Sequence, residues 1–245
     1  MKSSRELMLN LASLMRETSL PRQLAAEFMG TGFLVMAVVG SGIMAERLSS
    51  GNVALALLAN TIATGAALVC LILTFGPISG AHFNPAVSVS DAIEGGIDWK
   101  TAFRYSVVQS AGGIAGAALA NLMFQLPVIS ISRHSRSGSA QFLAEVIATF
   151  GLMSVIWGCS RMRSTVVPFA VAAYIVSAYW FTASTSFANP AVTIARAFSD
   201  TFAGIRPQDV LLFVPAQMLG AVMATLLFRW LLPALPAERV AVPKT

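Results

Sequence analysis

Six apolar runs dominate the sequence, at about 23–45, 52–74, 100–123, 138–160, 166–183 and 208–232. Each is close to the roughly twenty residues a helix needs to cross a hydrocarbon core. Such runs leave few folds open, because inside a bilayer every backbone N–H and C=O must find its partner within the protein, and a helix satisfies them all locally. The breaks between runs carry turn and charge signals, from Glu46 to Gly51, Glu94 to Asp98, Arg133 to Gly138, Arg161 to Arg163 and Asp200 to Pro207. Only 11% of the 245 residues are charged, against about 25% in soluble domains. A mean hydropathy of +0.73 leaves no polar surface for a body of this size in water.

The net charge of +5 does not point to nucleic acid, because the basic residues sit singly at the ends of apolar runs rather than among aromatics. With six spans, both termini share one side. That side holds eleven Lys and Arg and the other side five, so the positive-inside rule expects both termini in the cytoplasm and the protein in the inner (plasma) membrane. Residues 1–22 form an N-terminal segment without a long apolar run, read either as a short amphipathic helix on the membrane or as a tail, and 233–245 form a second tail. Cys70 and Cys159 lie inside apolar runs and suggest neither a disulfide nor a metal site. No cofactor, metal or catalytic residue is expected.

Two further apolar stretches, 85–93 and 190–198, are too short to span. They read as re-entrant half-helices, tolerated in a membrane only where protein or a water-filled cavity surrounds them. Both belong to an internal repeat. Ala26-Glu27 with Thr31, Leu34 and Gly40 matches Ala144-Glu145 with Thr149, Leu152 and Gly158 at an offset of 118. Asn84-Pro85-Ala86 matches Asn189-Pro190-Ala191 at 105, and Gln109 with Gly112 matches Gln217 with Gly220 at 108. The repeats run over 23–123 and 138–232. Three spans per repeat is an odd number, so the second must enter the bilayer upside down, and the solute path is expected at the repeat interface. The expected fold class is therefore an all-α membrane protein of six transmembrane helices and two half-helices in an inverted repeat.

Asn-Pro-Ala suits the start of a half-helix. Asn is a good N-cap, and proline at the first helical position loses no hydrogen bond. In an inverted pair both N-termini aim partial positive charge at the bilayer middle, which disfavours cations, while the Asn amides donate hydrogen bonds into the lumen. With its two such motifs, and with Ser79-Gly80-Ala81-His82-Phe83-Asn84-Pro85-Ala86-Val87, the chain resembles the aquaporin and glycerol-facilitator family over about 22–232. The resemblance implies a homotetramer with one pore per subunit, embedded in the lipid bilayer.

Glu27 and Glu145 are ionisable groups inside spans, and such groups are functional by default. Their symmetry favours a scaffold that accepts hydrogen bonds from the re-entrant loop of the same half over a proton relay. His82, just before the first motif, lines or gates the cytoplasmic pore mouth by resemblance, or packs its loop. The resemblance also implies an outer filter of four positions, which hold an aromatic, a histidine, a small residue and an arginine in water channels and two aromatics, a small residue and the arginine in glycerol channels. Counted from the motifs, these positions are Thr64, Ser177, Ser186 and Val192. Neither an aromatic nor the arginine is among them. Arg196, one turn later, either reaches back to the lumen or snorkels to headgroups, and its first-half counterpart is Asp91.

A filter of hydroxyls and valine is expected to be wide and without fixed charge. That suits neutral polyols such as glycerol. By resemblance to the arsenic-associated metalloid branch it also suits arsenous acid and methylated arsenicals, with or without water. A plain water channel and, less favoured, a secondary transporter are the alternatives. No nucleophile–base set or metal motif supports an enzyme.

Overall fold

The computed structural model describes residues 18–232. The N-terminal segment up to residue 17 and the tail from 233 lie outside the described residues. Eight α-helices make up the described fold: α1 (Leu20–Leu48), α2 (Val53–Ser79), α3 (Pro85–Glu94), α4 (Trp99–Met123), α5 (Ser139–Met162), α6 (Val167–Phe181), α7 (Pro190–Arg196) and α8 (Pro207–Leu231), with a short 3₁₀ turn, Ser164–Val166, leading into α6. Six of them, with α6 taken together with its leading 3₁₀ turn as Ser164–Phe181, are long and apolar enough to cross a membrane, and α3 and α7 are the two short ones.

Several ends depart from the sequence expectation. Helix α1 starts at Leu20, with Pro21 in its first turn, so the end of the segment assigned to 1–22 is helical. Helix α2 continues past 74 to Ser79 with Pro77 inside it, and α8 likewise contains Pro215. Proline inside a membrane helix is tolerated because neighbouring groups satisfy the freed carbonyl. Helix α7 stops at Arg196, two residues short of 198. Other ends are set by local chemistry. The Asn52 side chain caps α2 by accepting from Leu55 N, Asp98 caps α4 by accepting from Thr101 N, and Gly80 (φ 87°) and Gly95 (φ 79°) end α2 and α3 in the left-handed region that suits glycine.

The halves, α1–α4 and α5–α8, share a close crossing. A Cβ on Gly112 of α4 would lie 2.2 Å from Phe28 O of α1, and one on Gly220 of α8 would lie 2.2 Å from Val146 O of α5. Both pairs keep backbone against backbone, the arrangement that gives membrane helices their packing energy when lipid tails supply no hydrophobic drive. Buried alanines such as Ala117, Ala120, Ala148, Ala221 and Ala224 fill the interior, while Phe103, Leu211 and Trp230 project from the outer surface. That surface is apolar where a soluble protein would be charged.

The half-helices tie the halves together. α3 packs on α4 of its own half and on α8 of the other, and α7 packs on α8 and on α4. The segment joining the halves laces onto the chain that follows α7, through Ser130 N to Phe198 O (3.1 Å), Ser132 N to Ala197 O (2.9 Å) and Arg206 N to His134 O (2.9 Å). At the end of the molecule where α5 and α8 finish, Arg161 bonds Glu94 at the end of α3 (2.5 Å) and donates to Phe228 O and Leu232 O.

Candidate permeation pathway

The loops leading into α3 and α7 have the same backbone. Ala81 and Phe83 have φ of 50° and 49°, and Ser186 and Ala188, each 105 positions later, both have φ of 48°. Left-handed conformations in residues other than glycine persist only where surroundings over-determine them. Glu27 and Glu145, both fully buried, supply that constraint. Glu27 accepts from Ser79 Oγ (2.6 Å), His82 N (3.0 Å), Phe83 N (2.6 Å) and Gln109 Nε2 (2.8 Å). Glu145 accepts from Phe187 N (2.9 Å), Ala188 N (2.9 Å) and Gln217 Nε2 (2.6 Å). The glutamines reach one residue further, Gln109 to Ser88 Oγ (3.1 Å) and Gln217 to Thr193 Oγ1 (2.8 Å). Each carboxylate thus binds the loop of its own half with stationary donors, and none of these partners is a second acid or a lysine that would pass a proton on.

The loops place Asn84 and Asn189 side by side. Each side-chain oxygen caps its own half-helix, Asn84 accepting from Ala86 N (2.9 Å) and Asn189 from Ala191 N (3.0 Å) and Val192 N (3.2 Å). Each amide nitrogen then donates across the repeat, Asn84 to Ala188 O and Asn189 to Phe83 O, both 2.8 Å. The sequence reading gives the amides to the lumen; the structure divides them. An amide has two N–H donors, and with one fastened to the opposite loop a single N–H per asparagine is left for a solute.

Both asparagines border a cavity of about 260 Å³. Its long walls are apolar and follow the repeat, with Leu34 and Val38 matched by Leu152 and Ile156. Towards the C-terminal end of α3 it meets His82 and Asp91. His82 Nδ1 is 3.1 Å from Ser88 Oγ, Nε2 is 3.6 Å from Asp91 Oδ2, and the ring lies edge-on to Tyr105 at 5.4 Å.

Of the four filter positions, Thr64, Ser186 and Val192 meet at the opposite end of the cavity. Ser177 is not with them and is a correction: it is on the exposed side of α6, its hydroxyl donating to Tyr174 O (2.7 Å). The cavity face of α6 runs instead through Val171, Ile175 and Tyr179. At about 100° per residue, Ser177 stands roughly 200° around the helix from Ile175. Counting back from Asn189 assigned the wrong helical face.

None of the four positions holds an aromatic or an arginine, but such residues stand beside them. Tyr179, its hydroxyl 3.4 Å from Thr64 Oγ1, and Phe187 both border this end of the cavity. So does Arg196, which is 2% exposed, donates from Nε to Ala203 O and holds its guanidinium carbon 3.4 Å from the centre of the Phe187 ring. Arg196 therefore turns inward and does not snorkel. A further residue, Arg136 of the segment joining the halves, lies 5.1 Å over the same ring. The one sequence signal for Tyr179 was the four-residue spacing of Val171, Ile175 and Tyr179; Arg136 had none.

Six spans, two half-helices joined at paired asparagines and a cavity along the repeat interface define a multi-pass membrane channel for small solutes, not an enzyme. The chain belongs to the Major intrinsic protein family, whose profile matches residues 14–178. It is 55% identical over 232 residues to "Aquaglyceroporin AqpS" of Rhizobium meliloti (strain 1021), covering 94% of this chain and 99% of that one. It is 27% identical over 175 residues to the "Glycerol uptake facilitator protein" of Streptococcus pneumoniae, covering 63% of this chain and 72% of that one. Among solved structures, the aquaglyceroporin from Plasmodium falciparum superposes with a TM-score of 0.69 at 22% identity, covering 88% of this chain and 98% of that one, a likeness of fold.

Proposed function

We propose that the chain passes small neutral hydroxylated solutes of about glycerol size down their gradient, arsenous acid and its methylated forms among them. The observation that carries this reading is the pairing of one free amide N–H on each of Asn84 and Asn189 with the apolar wall of Leu34, Val38, Leu152 and Ile156. A polyol offers hydroxyl oxygens to the first and carbon to the second, so part of its lost hydration is replaced on one side while the other side costs nothing in unmet hydrogen bonds. Val192 at the cavity wall leaves volume that a longer side chain would occupy. The name of the Rhizobium relative supports the glycerol-sized class. At neutral pH arsenous acid is an uncharged triol, which brings it into the same class.

In this reading Thr64, Ser186 and Val192 form the selective end, the Asn-Pro-Ala pairs form the middle, and Glu27 and Glu145 hold the loops. His82 stands at the cytoplasmic mouth. The protein works in the inner membrane with both termini in the cytoplasm, an orientation supported by the excess of basic residues on that side, and as a homotetramer whose subunits each carry a pathway.

A water channel is the second reading, favoured by Tyr179, Phe187 and Arg196 crowding the selective end. Stopped-flow measurements on proteoliposomes separate the two. Glycerol and arsenous acid flux well above empty liposomes, lost in Val192→Arg, supports the polyol reading. Water flux alone leaves only the second.

A further inference from the structure

Two arginines stand near the end of the cavity that holds Val192, Arg196 buried and Arg136 half-buried, and the family signature accounts for neither. Arg196 is 2% exposed, and its one side-chain hydrogen bond among the described residues is from Nε to Ala203 O. Arg136 donates from Nε to Gly204 O (2.7 Å), from Nη1 to Thr185 Oγ1 (3.3 Å) and from Nη2 to Phe202 O (3.2 Å). Three consecutive carbonyls, of Phe202, Ala203 and Gly204, therefore aim two guanidiniums at one ring, Phe187, at 3.4 and 5.1 Å. Among the described residues neither guanidinium has a carboxylate within 4.0 Å. The nearby Asp209 pairs with Arg206 and otherwise accepts from the Arg136 backbone N–H.

Burying a charge without a counter-ion is costly, and neutral acceptors and an aromatic face recover only part of the cost. Such an arrangement is retained where the bare charge acts. Arg196 borders the cavity and, among the described residues, its terminal amines have no protein acceptor and the buried Ser186 hydroxyl, also bordering the cavity, has no partner. Both therefore offer hydrogen bonds to whatever occupies that space.

We propose that Arg196, backed by Arg136, is the cation-excluding and solute-orienting element of this channel, and that it discharges from one helical turn further out the role for which Val192 has no charge. The proposal rests on reading the cavity as the pathway. A cation entering this end meets two fixed positive charges in surroundings of low dielectric, where their repulsion is far stronger than in water. A neutral solute meets donors for its hydroxyl oxygens. The charge sits beside the cavity at Phe187 rather than across it at position 192, so the barrier to ions is kept while the volume around Val192 stays open. Selectivity against charge and selectivity by size are thus carried by different residues.

The test measures glycerol flux and the flux of protons and methylammonium in the same proteoliposomes. Arg196→Met, which keeps the length and removes the charge, is expected to raise cation flux at least about tenfold relative to the glycerol flux of the same vesicles. Arg196→Lys is expected to keep the barrier. Arg136→Gln, one charge fewer without touching the cavity wall, is expected to give an intermediate rise. If Arg196→Met fails to reconstitute, Arg136→Gln decides. Cation flux as low as wild type in the reconstituted neutral variants overturns the proposal while leaving the pathway intact. Absence of glycerol flux in the wild type would instead overturn the underlying reading of the cavity.

Discussion

Asn84 and Asn189 hold each other's loops. The amide of each donates to the carbonyl immediately before the other, Ala188 O and Phe83 O, at 2.8 Å in both directions. The two halves are therefore fastened at the point where a solute would be handed from one to the other. Asn189→Ala removes a helix cap, worth about 1 kcal/mol, and leaves Phe83 O without its donor, worth about 1 kcal/mol more. The expected result is a lower melting temperature for the detergent-solubilised protein and reduced glycerol flux, with Asn84→Ala behaving alike. A variant that melts like wild type would show that the cross-bond adds nothing.

The carboxylates make a stricter demand. Glu27→Ala strands the N–H groups of His82 and Phe83, the hydroxyl of Ser79 and the amide of Gln109 inside the protein. At about 1–3 kcal/mol for each buried unsatisfied group, the sum exceeds the margin of most folds. Little monodisperse protein is expected on size exclusion. Glu27→Gln, which keeps one acceptor and turns the other into a donor facing N–H groups, is expected to give an intermediate yield.

Position 112 separates a close crossing from ordinary small-residue preference. Gly112→Ala places a methyl 2.2 Å from Phe28 O, so α1 and α4 must move apart, and Gly220→Ala does the same to α5 and α8. Gly76→Ala meets nothing within 4 Å. Melting temperature should fall clearly in the first two and change by no more than about 0.5 kcal/mol equivalent in the third.

The face of α6 is open to a direct check. Tyr179→Ala enlarges the cavity end beside Thr64 and is expected to admit polyols longer than glycerol, measured as erythritol uptake by light scattering. Ser177→Ala, on the exposed side, is expected to leave every flux unchanged. The reverse pattern would return Ser177 to the selective end.

Acid should loosen the contact between the segment joining the halves and the one after α7. Asp200 accepts from Arg133 N and Arg133 Nε, each 2.9 Å, and its carboxyl is held below its ordinary value, chiefly by the backbone hydrogen bond, with desolvation opposing and the Arg133 side chain assisting. A depressed folded value means the contribution is present above the unfolded value of about 4 and is lost as pH falls through the lower folded one. Melting temperature should therefore drop below about pH 4 in wild type and less so in Asp200→Asn. The effect is small, since the pair is largely in water.

The sequence displayed the spans and the repeat because both depend on features that stay fixed through the chain: a hydrophobic length and residues that recur in order. Glu27 and Glu145 were legible for the same reason, as isolated acids at matched positions in otherwise apolar runs. The cavity end at Thr64 and Val192 was not. Its residues come from α2, α6, α7 and the loop before α7, where Thr185, Ser186 and Ala188 all have positive φ. A loop so bent gives no linear count back to a helical face, which is why Ser177 was chosen and Tyr179 missed. The direction of Arg196 depended on the carbonyl of Ala203, seven residues on and unmarked by any side chain.

The packing of α3 against α8 also bears on how the protein is made. Residues 85–94 leave the ribosome more than a hundred positions ahead of 207–231, the helix on which they come to rest. Until that last span enters the bilayer, the first re-entrant segment lacks one of the two long helices it packs on, and Glu145 still lacks Gln217. Assembly of the lumen is thus deferred to the end of translation, and a chain truncated before Pro207 would leave both half-helices incompletely seated.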